Sequence, residues 1–180
     1  MKRTSVFAPY LLLLLAPAII FWLPSMAKEK WFLLLSKEYS MEYPMSWKPD
    51  TVKVQAPVRF IVYAPVESAT DRYRERILLE TYTDTTDHAS LATSAKRSEK
   101  SIRQEFDTVK ILRSKAVQQG GNGSWEILFT GKKDSLEISG KQLIHLKGST
   151  SFRLTFLSEK GHTELFQSNA DRMLSTFTVR

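Results

Sequence analysis

The sequence predicts an α+β domain: a central antiparallel β-sheet flanked by helices, preceded by an apolar N-terminal segment. Three observations predict it. Residues 6–23 form a charge-free apolar run. Strand-type runs rich in β-branched and aromatic residues recur along the remainder. Two segments with helical periodicity interrupt them, so the order is strands, helix, strands, helix rather than alternating βαβ units.

The leader comes first. Lys2 and Arg3 make a short basic flank, the run VFAPYLLLLLAPAIIFWL follows, and SMA at 25–27 is a small-x-small pattern of the kind a signal peptidase cuts. Cleavage there makes Lys28 the first mature residue. The run is also about as long as a bilayer-spanning helix of roughly 20 residues, so a retained anchor is the alternative. A buried core helix is disfavoured, because the run is apolar all round with no polar face. Either membrane reading exports the rest of the chain, since the basic flank stays inside. The expected location is periplasmic or thylakoid-lumenal, soluble after cleavage or tethered. The chain has no cysteine, which excludes a lipidated cysteine, a disulfide framework and thiol catalysis.

Residues 28–38, KEKWFLLLSKE, read as a short connector with one apolar patch of edge-strand type. The segment YSMEYP (39–44) alternates, with Tyr39, Met41 and Tyr43 on one side, and Pro44 stops it as a strand. VRFIVYAP (58–65) and RERILLETYTD (74–84) are two further strands around the polar loop 66–73. Helical spacing follows: Leu91, Ala95, Ile102 and Phe106 share a face, and Asp87 is placed to cap it. TVKILRSKAV (108–117) returns to strand, QQGGNG (118–123) is a turn, and Trp125, Ile127 and Phe129 alternate beyond it. Residues 135–159 read as a strand pair turned at KGST (147–150). The last element is an amphipathic helix over about 162–176, with Phe166, Ala170, Met173, Leu174 and Phe177 on one face. There is no internal repeat, so residues 39–180 form one domain.

Chemistry is sparse. No G-x-S-x-G, Walker loop, H-E-x-x-H or dinucleotide fingerprint occurs. The three histidines are scattered: His88 at a predicted helix start, His145 inside a strand, His162 at the start of the last helix. His162 with Glu164 and Asp171 is the one weak metal-ligand candidate; a hydrated helix-start residue is the plain reading. Asn122–Ser124 is formally a glycosylation acceptor and serves the turn. The formal charge is +7, and without Lys2 and Arg3 the chain keeps 24 basic against 19 acidic residues. This moderate excess reads most simply as a solvated basic surface that serves solubility; it also suits an anionic membrane surface or an acidic protein partner. No nucleic-acid-binding motif is present and the leader carries the domain away from nucleic acid.

Several stretches resemble the PsbP-like domain. YSMEYPMSW (39–47) is similar to that family's opening strand and its Pro-x-x-Trp corner, here Tyr43, Pro44 and Trp47. YAPVESATDRYRERILLETYTD (63–84) resembles its D-x-[FY]-x-E-x-[IV] run, and 91–106 its first helix. ILFTGKKDSLEISGKQLIHLKGSTSFRLTFLSE (127–159) resembles its T-G-K turn and two long strands. ADRMLSTFTV (170–179) resembles its closing helix, with Thr176 in place of the usual serine before Phe177. The resemblance implies the sandwich fold shared by the photosystem II PsbP proteins, the DcrB-like envelope proteins and Mog. It implies a non-enzymatic accessory or binding protein, monomeric and beside a membrane protein complex such as photosystem II. The DcrB-like envelope or lipid role is the alternative, and an unrecognised hydrolase a third. Calcium enters only through the resemblance; no cofactor is expected from the residues. Tyr43, Pro44, Trp47 and Phe177 are expected to be structural.

Overall fold

The computed structural model describes residues 29–68, 71–84, 89–119 and 122–180. The leader at 6–23 and its 25–27 cleavage pattern, Asp87 and His88 lie outside the described residues. Among the described residues no helix is long and apolar enough to cross a membrane.

Ten strands and two helices follow in the order β1 (Trp31–Leu35), β2 (Tyr39–Pro44), β3 (Lys48–Asp50), β4 (Val58–Tyr63), β5 (Arg76–Thr83), α1 (Leu91–Glu105), β6 (Thr108–Gln119), β7 (Asn122–Lys133), β8 (Leu136–Lys147), β9 (Thr150–Glu159), α2 (Thr163–Thr176) and β10 (Thr178–Val179). A seven-stranded antiparallel sheet runs β3-β4-β5-β9-β8-β7-β6, and a small second sheet runs β1-β2-β10. The α+β expectation holds, with the second sheet as an addition. The segment 28–38 contains β1, paired along its length with β2; among the described residues no strand pairs with its other edge.

The period of two along each strand sorts side chains onto two faces. On one face α1 packs with Ala95, Ile102 and the capping Phe106 over Ile127, Phe129, Ile138, Ile144 and Leu157. On the other, α2 and the small sheet cover Phe60, Val62, Ile77, Leu79, Leu143, Phe152, Leu154 and Phe156. β9 lies between neighbours and under both layers, which is why eight consecutive residues of it are buried. Ser90 caps α1: its Oγ accepts from the Thr93 N–H at 3.1 Å, satisfying one of the orphan donors of the first turn. The β8–β9 turn uses Gly148 at φ +57, a conformation costly for a residue with a Cβ.

His145 sits on the α2 face of β8, buried, 5.3 Å from the Phe177 ring, with Nδ1 2.9 Å from the Ser124 hydroxyl. Burial pushes its imidazole down to about 4. The unfolded chain then binds the proton more readily than the folded one. The stability due to neutral His145 is complete above the ordinary histidine range and is lost as pH falls toward 4. The expected contribution to acid destabilisation between pH 7 and pH 5 is about 2 kcal/mol. Glu75 and Glu80, whose carboxyls burial raises, act with the opposite sign. Urea unfolding at both pH values, for the wild type and for His145→Gln, isolates the histidine part. The variant is expected to show the smaller loss.

Candidate functional site

The aromatic corner after β2 belongs to the core. Trp47 is 2% exposed, and its ring lies 6.4 Å from Phe156 and edge-on to Phe166 at 5.8 Å. The Trp47 backbone N–H donates to the Pro44 carbonyl at 2.9 Å and so closes the corner. Tyr43 packs against the core and faces Phe32 at 5.8 Å. Phe177 is buried at the end of α2 and stacks on Tyr39 at 6.2 Å. Thr176, the residue that departs from the family's serine, accepts the Glu42 N–H on its Oγ1 at 3.2 Å, tying α2 to β2.

The His162 grouping is redrawn. Its Nδ1 lies 3.4 Å from Glu67 Oε1. Ligand atoms of Glu67, Glu75 and His162 all fall within 4.8 Å of one another. Glu164 and Asp171 are not in this group: Glu164 is exposed on the first turn of α2, and Asp171 pairs with Lys141 at 2.7 Å and Gln167 at 2.8 Å. Helix geometry explains this. Residues two or nine positions beyond the helix start point away from it, and the partners arrive from the loop before β5. Glu75 is fully buried and takes the Glu159 N–H on Oε1 at 3.2 Å. Burial raises its carboxyl above the ordinary range, and Glu67 and Asp71 push it further up. Sequence reasoning missed Glu67 and Glu75. The available signal was Glu75 standing in phase with Ile77 and Leu79, two and four residues on, which places it on the α2 face of the sheet just before β5.

A second polar place lies between α1 and the sheet. A cavity of about 350 Å³ opens there over Arg76, Glu80, Tyr82, Gln142, Arg153 and Thr155. Arg153 is 4% exposed, its guanidinium 4.1 Å above the Tyr82 ring, its Nε without a partner. Burial lowers its affinity for a proton from a very high starting value, so it stays charged. The Tyr82 hydroxyl, pushed up to about 12 by burial and by Glu80, donates to Glu80 at 3.0 Å. Gln142 joins Ser98 on α1 to Thr155 on β9, so the helix is pinned over the cavity by buried hydrogen bonds.

The third feature is an edge. Phe32 is 46% exposed, and Leu33 and Leu35 are each 59% exposed, on a strand whose outer side pairs with no other strand among the described residues. Trp31 and Leu34 pack against the core, and Arg172 lies 3.9 Å over the Trp31 ring. An exposed apolar edge strand is a surface that natural domains cover or use.

No family model matches the chain, and no curated protein sequence is significantly similar to it. Solved structures are similar. The domain superposes on cyanobacterial PsbP (CyanoP) from Synechocystis sp. PCC 6803 with a TM-score of 0.62 at 14% identity, over 87% of this chain and 96% of that one. The chain has the PsbP-like fold. This PsbP-like domain is also similar to PA94 from Pseudomonas aeruginosa, described as a protein of unknown function and putative regulator, with TM-score 0.59 and 11% identity over 83% of this chain and 97% of that one. LpqN from Mycobacterium tuberculosis, described as involved in cell envelope biogenesis, follows with TM-score 0.58 and 11% identity over 84% and 91%. At these identities the likeness is one of fold.

Proposed function

We propose that this chain is a non-enzymatic accessory module of the cell envelope, held against the outer face of a membrane and working by binding. The observation that carries the reading is β1. Its exposed Phe32, Leu33 and Leu35 begin only a few residues after the apolar run 6–23 ends, with Lys30 and Lys37 close by in sequence. Only seven residues, 24–30, separate the run from β1, so a retained leader keeps this strand within reach of headgroup depth. Aromatic and leucine side chains favour that depth, and lysines there meet anionic lipid. The occupant of the apolar edge is accordingly the membrane surface.

The comparisons support an exported setting: LpqN is described as an envelope biogenesis protein, and CyanoP as a cyanobacterial PsbP. A place beside a membrane protein complex, as in photosystem II, is the second form of the same reading, supported by the fold likeness to CyanoP.

The full chain carrying Phe32→Ser, Leu33→Ser and Leu35→Ser tests the reading. A protease site placed at 25–27 releases the domain from its leader in vesicles containing about one third anionic lipid. After cutting, the wild-type domain is expected to stay with the vesicles at low salt and to leave at high salt in part. The triple variant is expected to leave at low salt, with at least a tenfold drop in bound fraction. Equal retention of both would sink the proposal.

A further inference from the structure

We propose that Glu67, Glu75 and His162 form a binding site for a divalent transition cation of the zinc type. Three elements meet there: the loop before β5 supplies Glu67, the residue leading into β5 supplies Glu75, and the start of α2 supplies His162. The three candidate ligand atoms lie within 4.8 Å of one another, which a single ion of about 2 Å bond length spans after small side-chain movements.

The second observation is independent of the clustering. Glu75 is 0% exposed, and its carboxylate is half used. Oε1 accepts the Glu159 N–H at 3.2 Å and the Ser158 hydroxyl at 3.5 Å, while Oε2 is buried with no partner. A buried carboxylate oxygen left unmatched is costly, and a cation is the partner that recovers the most. The bonds on Oε1 are of the kind that orient a ligating carboxylate.

The charge balance points the same way. Among the described residues no lysine or arginine forms an ion pair with Glu67, Asp71 or Glu75. Two of the neighbouring arginines are turned elsewhere: Arg74 donates to the Ala64 carbonyl and lies over Tyr63, and Arg76 lies over Tyr73. Asp71 adds a further buried oxygen without a partner, Oδ2, whose charge reaches Glu75. The positive end of α2 opposes a cation by about half a unit charge, against three carboxylates.

The donor set chooses among cations. One imidazole nitrogen and two carboxylates, with room for water, match the three-ligand open sites of zinc and its transition-metal neighbours. Calcium takes six to eight oxygens and does not favour imidazole. The calcium that the family resemblance raised therefore does not fit this group. A bound ion would clamp the loop before β5 to α2.

Isothermal titration of the metal-free full chain, in a mild detergent, with zinc chloride alone reads the site. The wild type is expected to take up one equivalent with micromolar or tighter affinity. Glu75→Gln and His162→Ala are each expected to weaken uptake at least tenfold, and zinc is expected to raise the melting temperature of the wild type but not of these variants. Glu67→Gln, at a partly exposed side chain, keeps the test valid if burial makes Glu75→Gln fold poorly; it too is expected to lose at least tenfold. Glu164→Gln and Asp171→Asn are expected to bind as the wild type does. Absence of uptake, uptake unchanged in Glu67→Gln and His162→Ala, or tighter binding of calcium chloride than of zinc chloride would each overturn the proposal.

Discussion

Trp47→Ala is expected to destabilise the domain by about 3–5 kcal/mol, the range for emptying a large buried aromatic site. The indole is 2% exposed and touches three layers at once: it follows β2, faces Phe156 on β9 and meets Phe166 on α2. Its removal opens a void at a point where two sheets and a helix converge, so no one element can close it by shifting. Trp47→Phe is expected to cost much less. It keeps most of the ring contact and drops an indole N–H that has no partner among the described residues. Urea denaturation of both variants gives the comparison. If Trp47 belonged to a docking patch instead, Trp47→Ala would leave the midpoint where it is.

The second large effect concerns a missing side chain. Gly140 on β8 stands directly opposite Phe129 on β7, and the Phe129 ring lies across it. A Cβ at position 140 would fall 2.1 Å from Phe129 Cζ. That ring is held in place by Phe106 at 5.6 Å, so it has no easy exit. Gly140→Val is expected to cost about 3 kcal/mol or more through overpacking. Phe129→Ala by itself should cost about as much through a cavity. The double variant should be more stable than the sum of the two losses predicts, because the valine then occupies part of the space the ring left. Strict additivity in a double-mutant cycle would contradict this contact.

Both effects rest on packing that the sequence shows only in outline. The strands β2, β4, β5, β8 and β9 were legible, because period-two alternation and flanking Pro or Gly residues mark them. Both helices were legible from their apolar faces. The cap of α1 was not assigned correctly: the observed cap is Ser90, and Asp87 and Ser90 are equally good capping types, so only the backbone position decides. The irregularity between Ile111 and Arg113, which leaves Leu112 more than half exposed, was invisible, since a bulge shifts the alternation without a residue of its own to announce it. The small sheet was half legible. The KEKWFLLLSKE segment looked like an edge strand, but β10 is two residues long, too short for any period to show.

The candidate sites were harder to see for one physical reason. They are made by side chains distant in sequence that register brings together. Glu75 reads as one more charge in an arginine-rich stretch until β5 pairs with β9 and buries it beside the Glu159 N–H. Arg153 reads as an outward charge on β9 until α1 covers that face. His162 was legible as a candidate, but its partners were sought along the same helix, whereas the fold supplies them from another element.

The proposed function places β1 on the membrane surface. Site-specific photo-crosslinking in native membranes tests it most directly, with the reactive side chain placed at Leu33, at Leu35 or at Leu112, which is exposed on the far edge of the large sheet. Lipid adducts are expected from positions 33 and 35 and none from 112. Equal labelling of all three positions, or adducts at 33 and 35 formed only with soluble protein, would contradict it.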